Sequence, residues 1–154
     1  MNTRAAEIVT AFMEALEAKE FDKAATYLSD DFQFTGSIPR LLNKDQFIRL
    51  SSELAEGMPN ISYHFHDLQE VEEQREGDRE RATIQITGTQ VNSFELVPLS
   101  LPTIPETGLP VSLPEAHWEY LVRGDTITAI DVEQVPGGGI SGMLQQLGID
   151  IPII

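Results

Sequence analysis

The apolar period of the chain changes once, near Asn60, and that change limits the classes of fold open to it. Before Asn60 the apolar residues recur every three or four positions. Between Arg4 and Ala18, Ile8, Ala11, Phe12, Ala15 and Leu16 fall on one face of a helix, with Glu7, Glu14 and Glu17 on the wet side. A second helical piece is expected over Asp22 to Leu28, broken by Ser29-Asp30-Asp31. Phe32 and Phe34 then alternate with Gln33 and Thr35, which predicts a brief strand before a turn at Gly36. Asn43 followed three residues later by Gln46 is a capping box, in which each side chain satisfies an orphan N–H of the other. The third helix should run to about Glu56 with Phe47, Leu50 and Leu54 buried, and Gly57-Met58-Pro59 should stop it.

Beyond Asn60 the period falls to two. Ile61, Tyr63 and Phe65 alternate with Ser62, His64 and His66, as in a strand with one apolar face. Arg75-Glu76-Gly77-Asp78 reads as a turn, with Glu70, Glu72, Glu73 and Glu76 as its solvated acidic tip, and Arg81 to Thr89 returns as a second strand. Glu115 to Val122 and Thr126 to Val135 form a hairpin about Arg123-Gly124-Asp125, and Ile140 to Leu147 has the spacing of a short terminal helix. Three helices followed by strands with no crossover helix between them specify an α+β fold, helices packed on one side of a curved, mainly antiparallel sheet. Gly137-Gly138-Gly139 lacks the Lys and Ser/Thr of a nucleotide loop.

At 154 residues, 41% of them apolar, the chain suits a single domain, 1–154, able to bury a substantial core without metal or disulfide. The absence of cysteine removes thiol nucleophiles and thiolate metal sites. A formal charge of −15 repels phosphate backbones and anionic headgroups, which argues against nucleic-acid and membrane partners. The first residues, Met1 to Glu7, show no basic flank leading into an apolar block, so a soluble cytoplasmic protein is expected.

Five segments, taken in order, resemble one family: Ala24-Ala25-Thr26-Tyr27-Leu28-Ser29-Asp30-Asp31-Phe32, Met58-Pro59-Asn60-Ile61, Thr87-Gly88-Thr89, Pro105-Glu106-Thr107-Gly108-Leu109-Pro110-Val111 and Leu144-Gln145-Gln146-Leu147-Gly148. Together they are similar to the SnoaL-like polyketide cyclase group of the nuclear transport factor 2-like superfamily. The resemblance implies a cone, in which a strongly bent sheet wraps three helices and leaves an apolar pocket for a small organic molecule. It also implies a His and an Asp on the last two strands working as a general acid/base pair, at positions matching His117 and Asp131. No cofactor is implied.

If the last hairpin closes through three residues at 123–125, His117 lies directly across from Asp131, with Glu119 and Glu133 on the same face and Trp118, Tyr120, Ile130 and Val132 on the other. A carboxylate beside an imidazole can set its tautomer and share proton transfer with it. The same alternation also describes a solvated or interface face. Tyr27, Phe34, Tyr63, Trp118 and Tyr120, with Phe12 and Phe94, are the aromatics available to line a pocket. His64 and His66 lack a third ligand at metal spacing, which makes them surface or interface histidines.

Phe12-Met13 and Thr35-Gly36 stand where a ketosteroid-isomerase-like site would want a Tyr and an Asp, and no Arg sits between two acids as in a limonene-epoxide-hydrolase-like site. Five prolines between Pro98 and Pro114 deny that stretch a full ladder, so residues 98–110 are expected to form a mobile cover over the pocket, with Leu99, Leu101 and Ile104 underneath. The leading expectation is an Asp/His acid-base enzyme acting on a carbonyl-containing apolar substrate. The rivals are a binding or carrier protein for a small apolar ligand and a dimerisation module. A homodimer through the polar outer sheet face is expected in any case.

Overall fold

Asn43 caps the helix that anchors the fold: its side chain accepts from Gln46 N at 2.9 Å while Gln46 Oε1 accepts from Asn43 N at 2.9 Å. The computed structural model describes residues 3–36, 38, 40–71 and 77–150, so residues 72–76 of the expected acidic turn lie outside the described residues. Within them the helices α1 (Thr3–Glu17), α2 (Phe21–Thr26) and α3 (Lys44–Gly57) come first, with α4 (Gly139–Gln146) at the end. Helix α2 ends at Thr26, two residues short of the expected Leu28, and after Tyr27 the chain enters strand β1 (Leu28–Thr35), longer than the expected strand and paired with an additional short strand, β2 (Leu42–Asn43).

The remaining strands are β3 (His66–Glu70), β4 (Asp78–Ile84), β5 (Thr87–Thr89), β6 (Pro110–Ser112), β7 (Ala116–Arg123) and β8 (Thr126–Val132). Six of the eight described strands form a sheet in the order β2-β1-β8-β7-β4-β3, parallel only between β1 and β8, and β5 pairs with β6 in a second, two-stranded sheet. This is the helix-lined, largely antiparallel cone expected.

Two expected strands are broken by this division. The run Arg81 to Thr89 leaves the large sheet after Ile84 and joins the small one at Thr87. The run Ile61 to His66 bridges Thr87 only at Ser62 and turns at His64, whose φ is +47°, before regular pairing begins at His66. Strong bending separates the two sheets here.

The core lies between the helices and the inner sheet face. Phe12, Phe32 and Phe34 surround Phe47 at centroid distances of 6.3, 5.5 and 4.6 Å. Trp118 meets Phe34 and Tyr63 edge-on at 5.7 and 6.1 Å. Such pairs add to the area they bury because ring edges and faces carry opposite partial charge.

The proline-rich segment does not cover a pocket. Phe94, Leu96, Leu99 and Ile104 are buried, and Phe94 pairs through its backbone with Ile104. Gly57 lets the Phe94 ring sit against the end of α3, where any Cβ would overlap it. Gln90, fully buried, pins the segment: its Nε2 donates to the Pro105 carbonyl at 3.2 Å and its Oε1 accepts from the Thr107 hydroxyl at 2.8 Å. Glu53 of α3 accepts from Val97 N at 3.0 Å. Apolar side chains together with these buried hydrogen bonds draw 98–110 into the core beside α3 rather than over the cone's mouth.

Candidate functional site

The last hairpin turns tightly, and this sets the site. Arg123 pairs with Thr126, leaving a two-residue loop, and a bulge between Leu121 and Val122 makes Thr128 an extra residue on β8. Each departure shifts the register by one. Asp131 is therefore opposite Glu119, and His117 is opposite Glu133, which corrects the expected His117–Asp131 pairing. A shift of two keeps His117, Glu119, Asp131 and Glu133 on one face and Trp118, Tyr120, Ile130 and Val132 on the other, while beyond the bulge Ile127 turns to the buried side.

Trp118, Tyr120, Ile130 and Val132 face the helices. His117, Glu119, Asp131 and Glu133 face outward and, with Arg81, line an open groove of about 430 Å³. There Glu119 accepts from Arg81 at 3.1 Å and from Arg79 at 3.3 Å, and Thr35 donates to Asp131 at 3.0 Å. Glu133 Oε1 lies 3.2 Å from His117 Nδ1 and also accepts from His117 N at 3.2 Å, taking the place of a ladder bond where β8 ends. Neither His117 nor Asp131 lines the cavity inside the cone.

That cavity has two chambers. The mouth, about 320 Å³, lies between the ends of β4 and β8, the approach to β7 and the start of α4, with Ile84, Pro114, Val132, Glu133, Gln134 and Ser141 in its wall. Gly36 closes one side where only glycine fits, because a Cβ there would overlap the Val132 carbonyl at a φ of +99°. The inner chamber, about 40 Å³, is walled by Phe34, Phe47, Leu50, Leu54 and Met143. Ile86, Leu113, Trp118 and Gly139 line both, so Trp118 stands at the passage between them.

The hydroxyl-bearing side chains of the inner chamber are Ser51 and Tyr63, and Trp118 brings an indole N–H donor to its wall. Ser51 donates to the Phe47 carbonyl at 2.9 Å, one turn back along α3, and shares the chamber wall with Tyr63. Burial, reinforced by the Glu17 carboxylate, pushes the Tyr63 phenol far above its ordinary range, with Ser51 pulling the other way. The phenol stays neutral and protonated.

Of the expected pocket aromatics, Phe34, Tyr63 and Trp118 line the inner chamber. Tyr120 does not: it is fully buried one pair further along the sheet, and its hydroxyl has no partner among the described residues. Tyr27 packs half-buried against the core after α2, while Phe12 and Phe94 are core residues. Ser51 escaped the sequence reading although its signal was present, a hydroxyl inside the apolar stripe Phe47-Leu50-Leu54.

His64 contacts the Thr87 hydroxyl at 2.8 Å, and His66 lies 3.4 Å from Glu115 at the exposed sheet edge. The His64 carbonyl holds the His66 imidazole above its ordinary value against the pull of desolvation, and Asp67 and Glu115 add smaller pushes upward. Among the described residues no three His, Asp or Glu side chains gather as metal ligands.

A family model described as a SnoaL-like domain matches residues 9–130. The chain belongs to the SnoaL-like family. Solved structures similar to this SnoaL-like chain carry names from several chemistries on one nuclear transport factor 2-like cone. One, named as a candidate polyketide cyclase from Xanthomonas campestris pv. campestris, is 18% identical, with a TM-score of 0.68 over 94% of this chain and 97% of that one. AclR from Streptomyces galilaeus, named as a candidate hydroxylase, is 15% identical, with a TM-score of 0.69 over 97% and 98%. An LEH-like epoxide hydrolase of M. tuberculosis is 16% identical, with a TM-score of 0.63 over 95% and 93%. At these identities the likeness is one of fold. No curated protein is significantly similar to this SnoaL-like protein in sequence. Among the described residues no helix is long and apolar enough to cross a membrane.

Proposed function

We propose that this SnoaL-like protein binds a small, largely apolar organic molecule in the two-chambered cavity beneath Trp118. The observation that carries this reading is an aromatic and aliphatic inner chamber that opens past Trp118 into a half-polar mouth, the composition expected of a small-molecule site. Phe34, Tyr63 and Trp118 are the binding residues. Acid-base chemistry by Asp131 with His117 would need its substrate on the charged outer groove, where no apolar wall receives one. The binding reading is therefore favoured over the catalytic one.

The outer sheet face suits a second role. Arg79 and Arg81 stand beside Glu119, Asp131 and Glu133, a mixture of signs that a two-fold partner can complement, so a cytoplasmic homodimer through this face goes with the proposal.

The test of binding uses the chain's one tryptophan. Addition of trans-4-tert-butylcyclohexanol should shift the Trp118 indole N–H resonance saturably, and Leu50→Phe, which fills the inner chamber, should weaken that response at least tenfold. An indole resonance unmoved up to the solubility limit would remove the proposal.

A further inference from the structure

We infer that the indole N–H of Trp118 selects the ligand: the cavity takes a molecule whose polar atom is a neutral hydrogen-bond acceptor, such as a carbonyl oxygen, seated at the passage between the two chambers. The inference rests on the proposal that the cavity binds an apolar molecule, and it names the polar group that molecule carries and the residue that recognises it.

An indole N–H donates and cannot accept, and a buried one ordinarily finds a partner. Trp118 is 5% exposed, and among the described residues no hydrogen bond engages its N–H. This donor is not sealed in the core, unlike Glu80 Oε2 and the Tyr120 hydroxyl, the buried side-chain atoms left without a partner. It opens on the cavity, whose two chambers share Trp118 as a wall. The neighbouring hydroxyls are placed differently. Ser51 gives its proton to the Phe47 carbonyl, 2.9 Å away. Tyr63 meets Trp118 edge-on at 6.1 Å and lines the inner chamber alone. A molecule that reaches from the mouth into the inner chamber therefore crosses Trp118 first.

A wholly apolar ligand at that point strips the N–H of water and leaves it unpaired, which costs more than an ordinary hydrogen bond returns. An acceptor oxygen restores the bond, while Ile86 and Leu113 beside Trp118 receive the apolar body. Such a site rejects the analogue that lacks the oxygen, because the penalty falls on the protein's own donor. The walls also settle the charge of that oxygen. No Lys, Arg or His lines either chamber, and Glu133 brings a carboxylate to the mouth. On a chain of formal charge −15 an anionic ligand finds no counter-ion there and is repelled, whereas a neutral oxygen is not.

The matched pair 4-tert-butylcyclohexanone and 1-tert-butyl-4-methylidenecyclohexane tests this, since the two share one neutral body and differ in a terminal oxygen or methylene. In the native chain the ketone should move the Trp118 indole proton downfield, as a newly formed hydrogen bond does, and the methylidene compound should not. Affinities are read on the Ile86 methyl resonances, which report from both chambers in every variant. Trp118→Phe should weaken the ketone about five- to tenfold relative to the methylidene compound, the worth of one net hydrogen bond. Tyr63→Phe and Ser51→Ala should leave that ratio as it is, and trans-4-tert-butylcyclohexanecarboxylate should bind the native chain more weakly than the ketone. A purely packing role for Trp118 changes both affinities together. An indole proton that responds alike to ketone and methylidene compound, a ratio unchanged in Trp118→Phe or shifted as far by Tyr63→Phe, or tighter binding of the carboxylate overturns the inference while leaving the cavity as a binding site. Failure of both neutral compounds to move either resonance overturns the proposal and the inference together.

Discussion

Trp118 meets Phe34 edge-on across the inner chamber, their ring centroids 5.7 Å apart. Phe34 in turn lies 4.6 Å from Phe47 of α3, so the wall of the cavity is continuous with the core. Trp118→Ala should cost about 3 to 5 kcal/mol, the usual loss for a large buried aromatic, and open the passage between the chambers. Trp118→Phe keeps the edge contact and should cost less than half as much. Chemical denaturation of the two variants checks the order, and equal losses would mean that the edge contact a phenyl ring keeps contributes little.

Gly57 and Phe94 occupy each other's space. Gly57→Ala must push the Phe94 ring from the end of α3, where a Cβ would overlap it. We expect a loss of about 1 to 3 kcal/mol, as for other overpacked sites, although alanine is the better helix former. A neutral or stabilising result in a urea melt would show that the ring moves aside freely.

Gln90 should govern how firmly the proline-rich segment is held. In the native chain the amides of Phe94, Ile104 and Gly108, bonded at 2.9, 2.9 and 2.8 Å, should exchange slowly. Gln90→Ala leaves the Thr107 hydroxyl and the Pro105 carbonyl unmatched, and should speed exchange across the segment by at least tenfold while sparing the central pair β7 and β8. Uniform acceleration across the whole chain would assign Gln90 to global stability instead.

Glu80 is 2% exposed, stands across from Tyr120, and has one carboxyl oxygen without a partner among the described residues. Burial first, then the carboxylates of Glu70 and Asp78, push its pKa up. A carboxyl whose folded value lies above its unfolded value of about 4.3 destabilises the fold progressively as pH rises through the interval between the two. Glu80→Gln should therefore raise the melting temperature at pH 7, by the equivalent of about 1 kcal/mol, and the gain should disappear by about pH 4. A gain independent of pH would point to packing rather than charge.

Alternation along β7 and β8 determined that Trp118 and Tyr120 share a face with Ile130 and Val132, and the observed register leaves this intact because the turn and the bulge each shift the pairing by one and the two shifts together preserve parity. Capping chemistry determined where α3 begins, since Asn43 and Gln46 need only each other. These are local properties. Tertiary structure decided that the Trp118 face, and not the His117 and Asp131 face, meets the helices, because the direction in which a sheet curls depends on every strand at once. It also decided that Glu119 and not His117 stands across from Asp131, through a two-residue turn together with one extra residue at Thr128, neither of which carries a strong sequence mark. Prolines showed that residues 98–114 could not form a full ladder. Where the segment packs depended on Gly57, Gln90 and Glu53, distant in sequence and joined to it only in the folded chain. Ser51 shows the same division: its place in the apolar stripe of α3 is written in the sequence, whereas its place beside Tyr63 in the chamber wall exists only once the chain around Tyr63 is laid against the helix.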